Sequence, residues 1–110
     1  MLEALWSVEF VSNLQVQGAG VVVLETGRVF GGDAQYFYVG DYNMHHDKAQ
    51  VSLKVKHYSG APNSIFGQLK EFHVKLEGTP NREKFDMIGH LVEDPTRKMA
   101  IRLTRRAELP

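Results

Sequence analysis

Apolar and polar residues alternate at period two along most of the chain, the spacing of strands with one dry and one wet face. Val51, Leu53 and Val55 alternate with Ser52, Lys54 and Lys56, and Phe72, Val74 and Leu76 alternate with His73, Lys75 and Glu77. Met99, Ile101 and Leu103 alternate in the same way with Ala100, Arg102 and Thr104. An opening strand over about Leu5 to Ser12 sets Trp6, Val8 and Phe10 against Ser7 and Glu9, and Phe85, Met87 and Leu91 repeat the pattern with Gly89 in register. No stretch carries the period of a long amphipathic helix. Five strands thus declare an inside.

Two more segments, Gly18 to Glu25 and Tyr36 to Tyr42, are apolar on both faces, with Val21 and Val23 opposing Val22 and Leu24, and Phe37 and Val39 opposing Tyr36 and Tyr38. A short strand, Arg28 to Phe30, lies between them. It is bounded by Thr26-Gly27 and by Gly31-Gly32-Asp33, where glycine is expected to supply the positive φ of a tight reversal and Asp33 to bond nearby backbone N–H groups. Further reversals are expected at Asn43 to Lys48, Gly78 to Asn81 and Glu93 to Thr96. Eight short sequential strands predict an all-β fold, a small antiparallel eight-stranded up-and-down barrel of the lipocalin-like kind, because closure removes exposed edges. A sandwich is the alternative. The longest connection, Ser59 to Gln68, carries Ile65-Phe66 in an otherwise small and polar stretch. Such a pair needs cover, and a plug-like loop folded over one end of the barrel supplies it; a short helical turn on the outer wall is the other arrangement.

The chain's 110 residues suit one domain, 1–110, and its 13 Lys plus Arg balance 13 Asp plus Glu. With pI near 7.0 there is no net attraction toward a polyanion, so direct nucleic-acid binding is not expected. No apolar window reaches the roughly 20 residues of a membrane span, and no basic segment followed by an apolar one opens the chain. The expectation is a cytoplasmic, unexported protein without membrane contact. The absence of cysteine excludes disulfides and thiolate chemistry, and fits a bacterial-type cytosol.

Candidate chemistry changes little. His45 and His46 are adjacent and point apart in an extended segment, His57 shares the inward parity of Val55, and His73 and His90 point outward, so nothing converges on a metal. Ser52, His57 and Asp33 could be assembled into a triad only by ignoring the lack of any motif that holds a strained serine. Gly31-Gly32-Asp33 lacks the following helix that a phosphate loop requires. Neither catalysis nor a cofactor is expected. The arginines from Arg102 to Arg106 read as a wet edge.

Several segments carry a resemblance. Phe10-Val11-Ser12-Asn13, Gly18 to Leu24, Gly27-Arg28-Val29-Phe30-Gly31-Gly32-Asp33 and Tyr36-Phe37-Tyr38-Val39-Gly40-Asp41-Tyr42 resemble the GrlR-like family, named for a negative regulator of type III secretion in pathogenic enterobacteria. Lys56-His57-Tyr58, Leu76-Glu77-Gly78-Thr79 and Ile101-Arg102-Leu103-Thr104 follow the same layout more loosely. The resemblance implies a lipocalin-like barrel, a homodimer, an apolar interior with a plugging loop, and function through protein contact. In the named regulator an exposed turn of alternating acidic residues captures a transcriptional activator. The corresponding turn here reads Asn43-Met44-His45-His46-Asp47-Lys48 and lacks the acidic run, so a different partner surface is expected.

The resulting expectation is a non-catalytic regulatory interaction protein, with a carrier or sensor of a small apolar ligand as its rival. An eight-stranded barrel holds side chains or one small ligand, and Trp6, Phe10, Phe72, Phe85 and Met99, with Ile65 and Phe66 as plug, are expected to fill much of the interior. The doubly apolar strands point to an isologous homodimer through Val21, Val23, Phe37 and Val39, with Tyr36 and Tyr38 as the alternative outward pair. Met44, His45, His46 and Asp47 are the candidate partner-binding turn, set against a solvated hairpin end.

Overall fold

A computed structural model describes residues 2–110. Eight strands run in chain order: β1 (Ala4–Ser12), β2 (Gln17–Glu25), β3 (Arg28–Gly32), β4 (Tyr36–His45), β5 (Lys48–His57), β6 (Glu71–Gly78), β7 (Lys84–Leu91) and β8 (Asp94–Ala107). Each pairs antiparallel with its neighbours, and β8 returns to β1 to close the barrel. The up-and-down barrel expected from the alternation is therefore the fold, and the sandwich is not. No helix among the described residues is long and apolar enough to cross a membrane.

The two ends of the barrel are filled differently. Where β1 starts and β8 ends, Ala4, Trp6, Leu24, Val29, Phe85, Met87 and Leu103 are all buried. The Trp6 indole N–H donates to the Leu2 carbonyl at 2.9 Å, its ring meets Phe85 edge-on at 5.2 Å, and the Arg105 guanidinium lies 5.1 Å from its centre. Large side chains thus close this half, as an eight-stranded cross-section allows. At the other end the inward positions of β2 are Gly18 and Gly20, sharing parity with Val22 and Leu24.

Three reversals differ from the sequence expectation. Gly31 and Gly32 continue β3 with extended backbone; the positive-φ glycines are Gly27, Gly60 and Gly67. What Gly31 supplies is close approach, since a Cβ there would stand 2.7 Å from Val22 Cα and collide with the Val21 carbonyl. The turn expected over Asn43 to Lys48 narrows to His46 and Asp47, because β4 and β5 stay paired out to His45 and Lys48 and His46 takes φ 58°. The turn expected over Glu93 to Thr96 moves back to Val92 and Glu93. Pro95 falls inside β8, where the register slips after His90 and no β7 residue faces Pro95, so its missing N–H breaks no ladder bond.

Gly31→Ala should cost about 1–3 kcal/mol, the usual penalty for overpacking a close contact. Urea unfolding measures it, and an unchanged midpoint would show that β2 and β3 are not held at this distance.

Candidate functional site

The half of the barrel where β2 turns Gly18 and Gly20 inward holds a cavity of about 290 Å³ that is open at one end. Its wall is apolar, built from Val8 and Phe10 of β1, Val22 of β2, Leu53 and Val55 of β5, Phe72, Val74 and Leu76 of β6, and Met99 and Ile101 of β8. The β5–β6 connection folds over this end. Ile65 and Phe66 are only 5% and 2% exposed, line the cavity, and Phe66 meets Phe72 edge-on at 5.7 Å. The outer-wall helical turn is not formed. The loop's tip is self-bonded, Ser64 N–H donating to the Gly67 carbonyl at 2.9 Å and Gly67 N–H returning at 3.1 Å.

Tethers on two sides hold this plug. On one, the Arg97 guanidinium donates to the Phe66 carbonyl at 3.0 Å. On the other, the β3–β4 turn carries a connected set of bonds: Tyr58 N–H donates to the Gln35 carbonyl at 2.9 Å, the Tyr58 hydroxyl to the Asp33 carbonyl at 2.6 Å, and the Tyr36 hydroxyl to the Leu69 carbonyl at 2.6 Å.

Asp33 organises that turn. One carboxylate oxygen accepts from the N–H groups of Gln35 and Tyr36, both at 2.8 Å, which is the local bonding expected of Asp33. The other accepts from the hydroxyl of Tyr38, which reaches it over Gly20, where a Cβ would stand 2.8 Å from the Tyr38 oxygen. Burial, reinforced by this bond and by the Asp33 charge, holds the Tyr38 hydroxyl protonated far above the ordinary tyrosine range. The cavity reaches its mouth here, between Gln17, Gly18 and Ala19 on one side and Asp33, Ala34 and Gln35 on the other. Because β2 pairs with β3 only from Val21 onward, this stretch of β2 is laddered on the β1 side alone.

The residues expected in the interior separate into two groups. Phe10, Phe72, Met99, Ile65 and Phe66 line the cavity, whereas Trp6 and Phe85 lie outside its lining, packed against each other toward the opposite end. The expectation that these aromatics jointly fill the barrel is corrected by their positions along its axis: strand parity says which face a residue occupies, not its height.

On the outer wall, Val21, Phe37 and Val39 are 48%, 37% and 42% exposed, Val23 is half-buried, and Tyr36 and Tyr38 take the inward positions. Phe30, which the sequence reading passed over, is 38% exposed and sits between Val23 and Val39 in the ladder. Its position between two doubly apolar strands was the available signal. The hairpin tip with Met44, His45, His46 and Asp47 is exposed and lies at the barrel end away from the plug, with the two imidazoles 4.4 Å apart. Of the other histidines, His57 packs on Tyr36 and bonds the Gly60 carbonyl at 2.7 Å, and His73 pairs with Glu93 at 2.7 Å. No group of three or more His, Asp or Glu side chains placed to hold a metal ion occurs among the described residues.

No family model matches the chain, and no curated protein matches it.

The Tyr38 arrangement carries a pH signature. Its pKa is raised in the folded state above the ordinary value of 10.0, so the unfolded chain releases this proton first. Its contribution to stability is present below about pH 10 and falls as pH rises beyond that. Tyr38→Phe should flatten the decline of the urea midpoint at alkaline pH; identical slopes in the two proteins would count against the buried bond to Asp33.

Proposed function

We propose that this chain is a non-catalytic binding barrel that holds a small, mostly apolar molecule in its interior, as a carrier or sensor acting in the cytoplasm. The observation that carries this reading is the cavity of about 290 Å³ behind a tethered plug. For scale, an engineered apolar cavity of about 150 Å³ is large enough to take up benzene. The sequence favours an interaction protein through the family resemblance and through aromatics expected to fill much of the interior, and those aromatics are divided between the two ends of the barrel. A neutral fluorescent probe, N-phenyl-1-naphthylamine, should bind saturably at one molecule per chain, and Leu53→Trp, which adds bulk at the cavity wall, should abolish binding without lowering the thermal midpoint. Failure of the unmodified protein to take up the probe would defeat the reading.

The outer wall favours a second reading, a regulatory interaction protein of the GrlR-like kind that works as a homodimer. Val21, Val23, Phe30, Phe37 and Val39 are near neighbours across β2, β3 and β4 and form an apolar surface of the sort that marks an interface. Their ladder partners on β5, Lys54 and Lys56, supply a charged rim. In this reading Met44, His45, His46 and Asp47 are available to a further protein partner, and their chemistry differs from an acidic turn. Light scattering should return twice the 12.4 kDa chain mass, and Val23→Asp should leave a folded monomer. A wild-type monomer at micromolar concentration would exclude this wall as a dimer surface.

A further inference from the structure

The charges around the cavity restrict the ligand more sharply than its volume does. Among the described residues no Lys, Arg or His lines it, and the one carboxylate in the lining is Asp33, at the mouth. Arg97, which holds the plug, directs its guanidinium to the Phe66 carbonyl and to Asp94 at 3.5 Å and is not part of the lining. His57 is bonded to the Gly60 carbonyl and is likewise outside it. The three hydroxyls in the lining are engaged, Tyr38 donating to Asp33, Tyr36 to the Leu69 carbonyl and Ser64 to the Gly67 carbonyl at 2.7 Å, and the other polar side chains there, Gln17, Gln35 and Asn63, are uncharged amides. Asp33, by contrast, keeps acceptor capacity. One of its oxygens takes two backbone N–H bonds, and the other takes only the Tyr38 hydroxyl, leaving a lone pair for a further donor.

Resting on the reading of the cavity as a ligand site, we infer that it selects apolar molecules whose polar end is a neutral or cationic hydrogen-bond donor, a hydroxyl or an amine, and discriminates against carboxylates. A hydroxyl or ammonium head at the mouth donates to the free position on Asp33 while the apolar body occupies the Phe72, Val74 and Ile101 wall. A carboxylate head in the same place brings a second negative charge beside the first and leaves water with no cation to meet it. An apolar ligand therefore gains the same burial in each case, and the head group decides the affinity.

Three probes with one ring system isolate that difference: 2-naphthylmethanol, 2-naphthylmethylamine and 2-naphthoate, each titrated calorimetrically into the full chain at neutral pH. The alcohol and the amine should bind about tenfold or more tighter than the carboxylate, the scale on which a neighbouring like charge acts. Asp33→Asn keeps an oxygen for the two backbone N–H groups and removes the charge, so it should raise naphthoate affinity and lower that of the amine. Should that variant fail to fold, Asn63→Lys, which adds a cation to the exposed lining, should by itself improve naphthoate binding. Equal affinity for all three probes, or tightest binding of naphthoate, would overturn the head-group inference and leave the cavity reading standing. No binding of any of the three would defeat both.

Discussion

The molecule depends on the closure of β8 onto β1. Every strand has at least one apolar face, and this sheet hides those faces from water by curling until its two edges meet. The pairing from Leu5–Ala107 to Ser12–Met99 performs that closure, so that among the described residues every strand has a partner on both sides. β8 is the longest strand, at 14 residues, and runs from Asp94, opposite Leu91 of β7, to Ala107, opposite Leu5 of β1. From the same strand come the Arg105 guanidinium over Trp6 and the Arg97 guanidinium on the Phe66 carbonyl. Closure of the ladder and fastening of both ends are therefore coupled through one segment.

Within the closed sheet, residue volume along the axis determines where space remains. Trp6, Phe85 and Met87 are buried in one half, with Trp6 and Phe85 edge-on to each other, and a space of about 30 Å³ remains beside Phe85 and Met87. In the other half, Gly18 accommodates the Phe10 ring, where a Cβ would stand 2.9 Å from Phe10 Cζ, and Gly20 accommodates the Tyr38 hydroxyl. These inward glycines let two aromatic side chains lie against the β2 backbone rather than across the lumen. The cavity is thus a consequence of small residues on one strand facing large residues that lean onto them.

Asp33 links the mouth of that cavity to its cover. Its carboxylate anchors the β3–β4 turn and the Tyr38 hydroxyl, while its backbone carbonyl accepts from Tyr58 at the start of the plug connection. A single β4 strand then presents Tyr36 and Tyr38 to the interior and Phe37 and Val39 to the outside. Both candidate surfaces, the cavity and the apolar wall, share this strand by alternation alone.

Period-two patterning and turn residues are local signals, and they make the eight strands and the inward faces of Trp6, Val51, Phe72 and Phe85 legible in the sequence; the closed barrel in place of a sandwich, and the buried plug position of Ile65 and Phe66 in place of an outer-wall turn, come from the tertiary structure. The sequence also identified Val21, Val23, Phe37 and Val39 as excess apolar residues, although it left open whether Tyr36 and Tyr38 exchanged places with the last two. Tertiary structure alone decided that question, placing both tyrosine hydroxyls on partners distant in sequence or across the turn. It also decided that Gly31 and Gly32 serve close strand approach instead of a reversal, and that Phe30 completes the outer wall. The height of each inward side chain along the barrel axis depends on the register of all eight strands at once. That register separates Trp6 and Phe85 from Phe10, Phe72 and Met99, and so leaves a cavity that no local pattern in the sequence encodes.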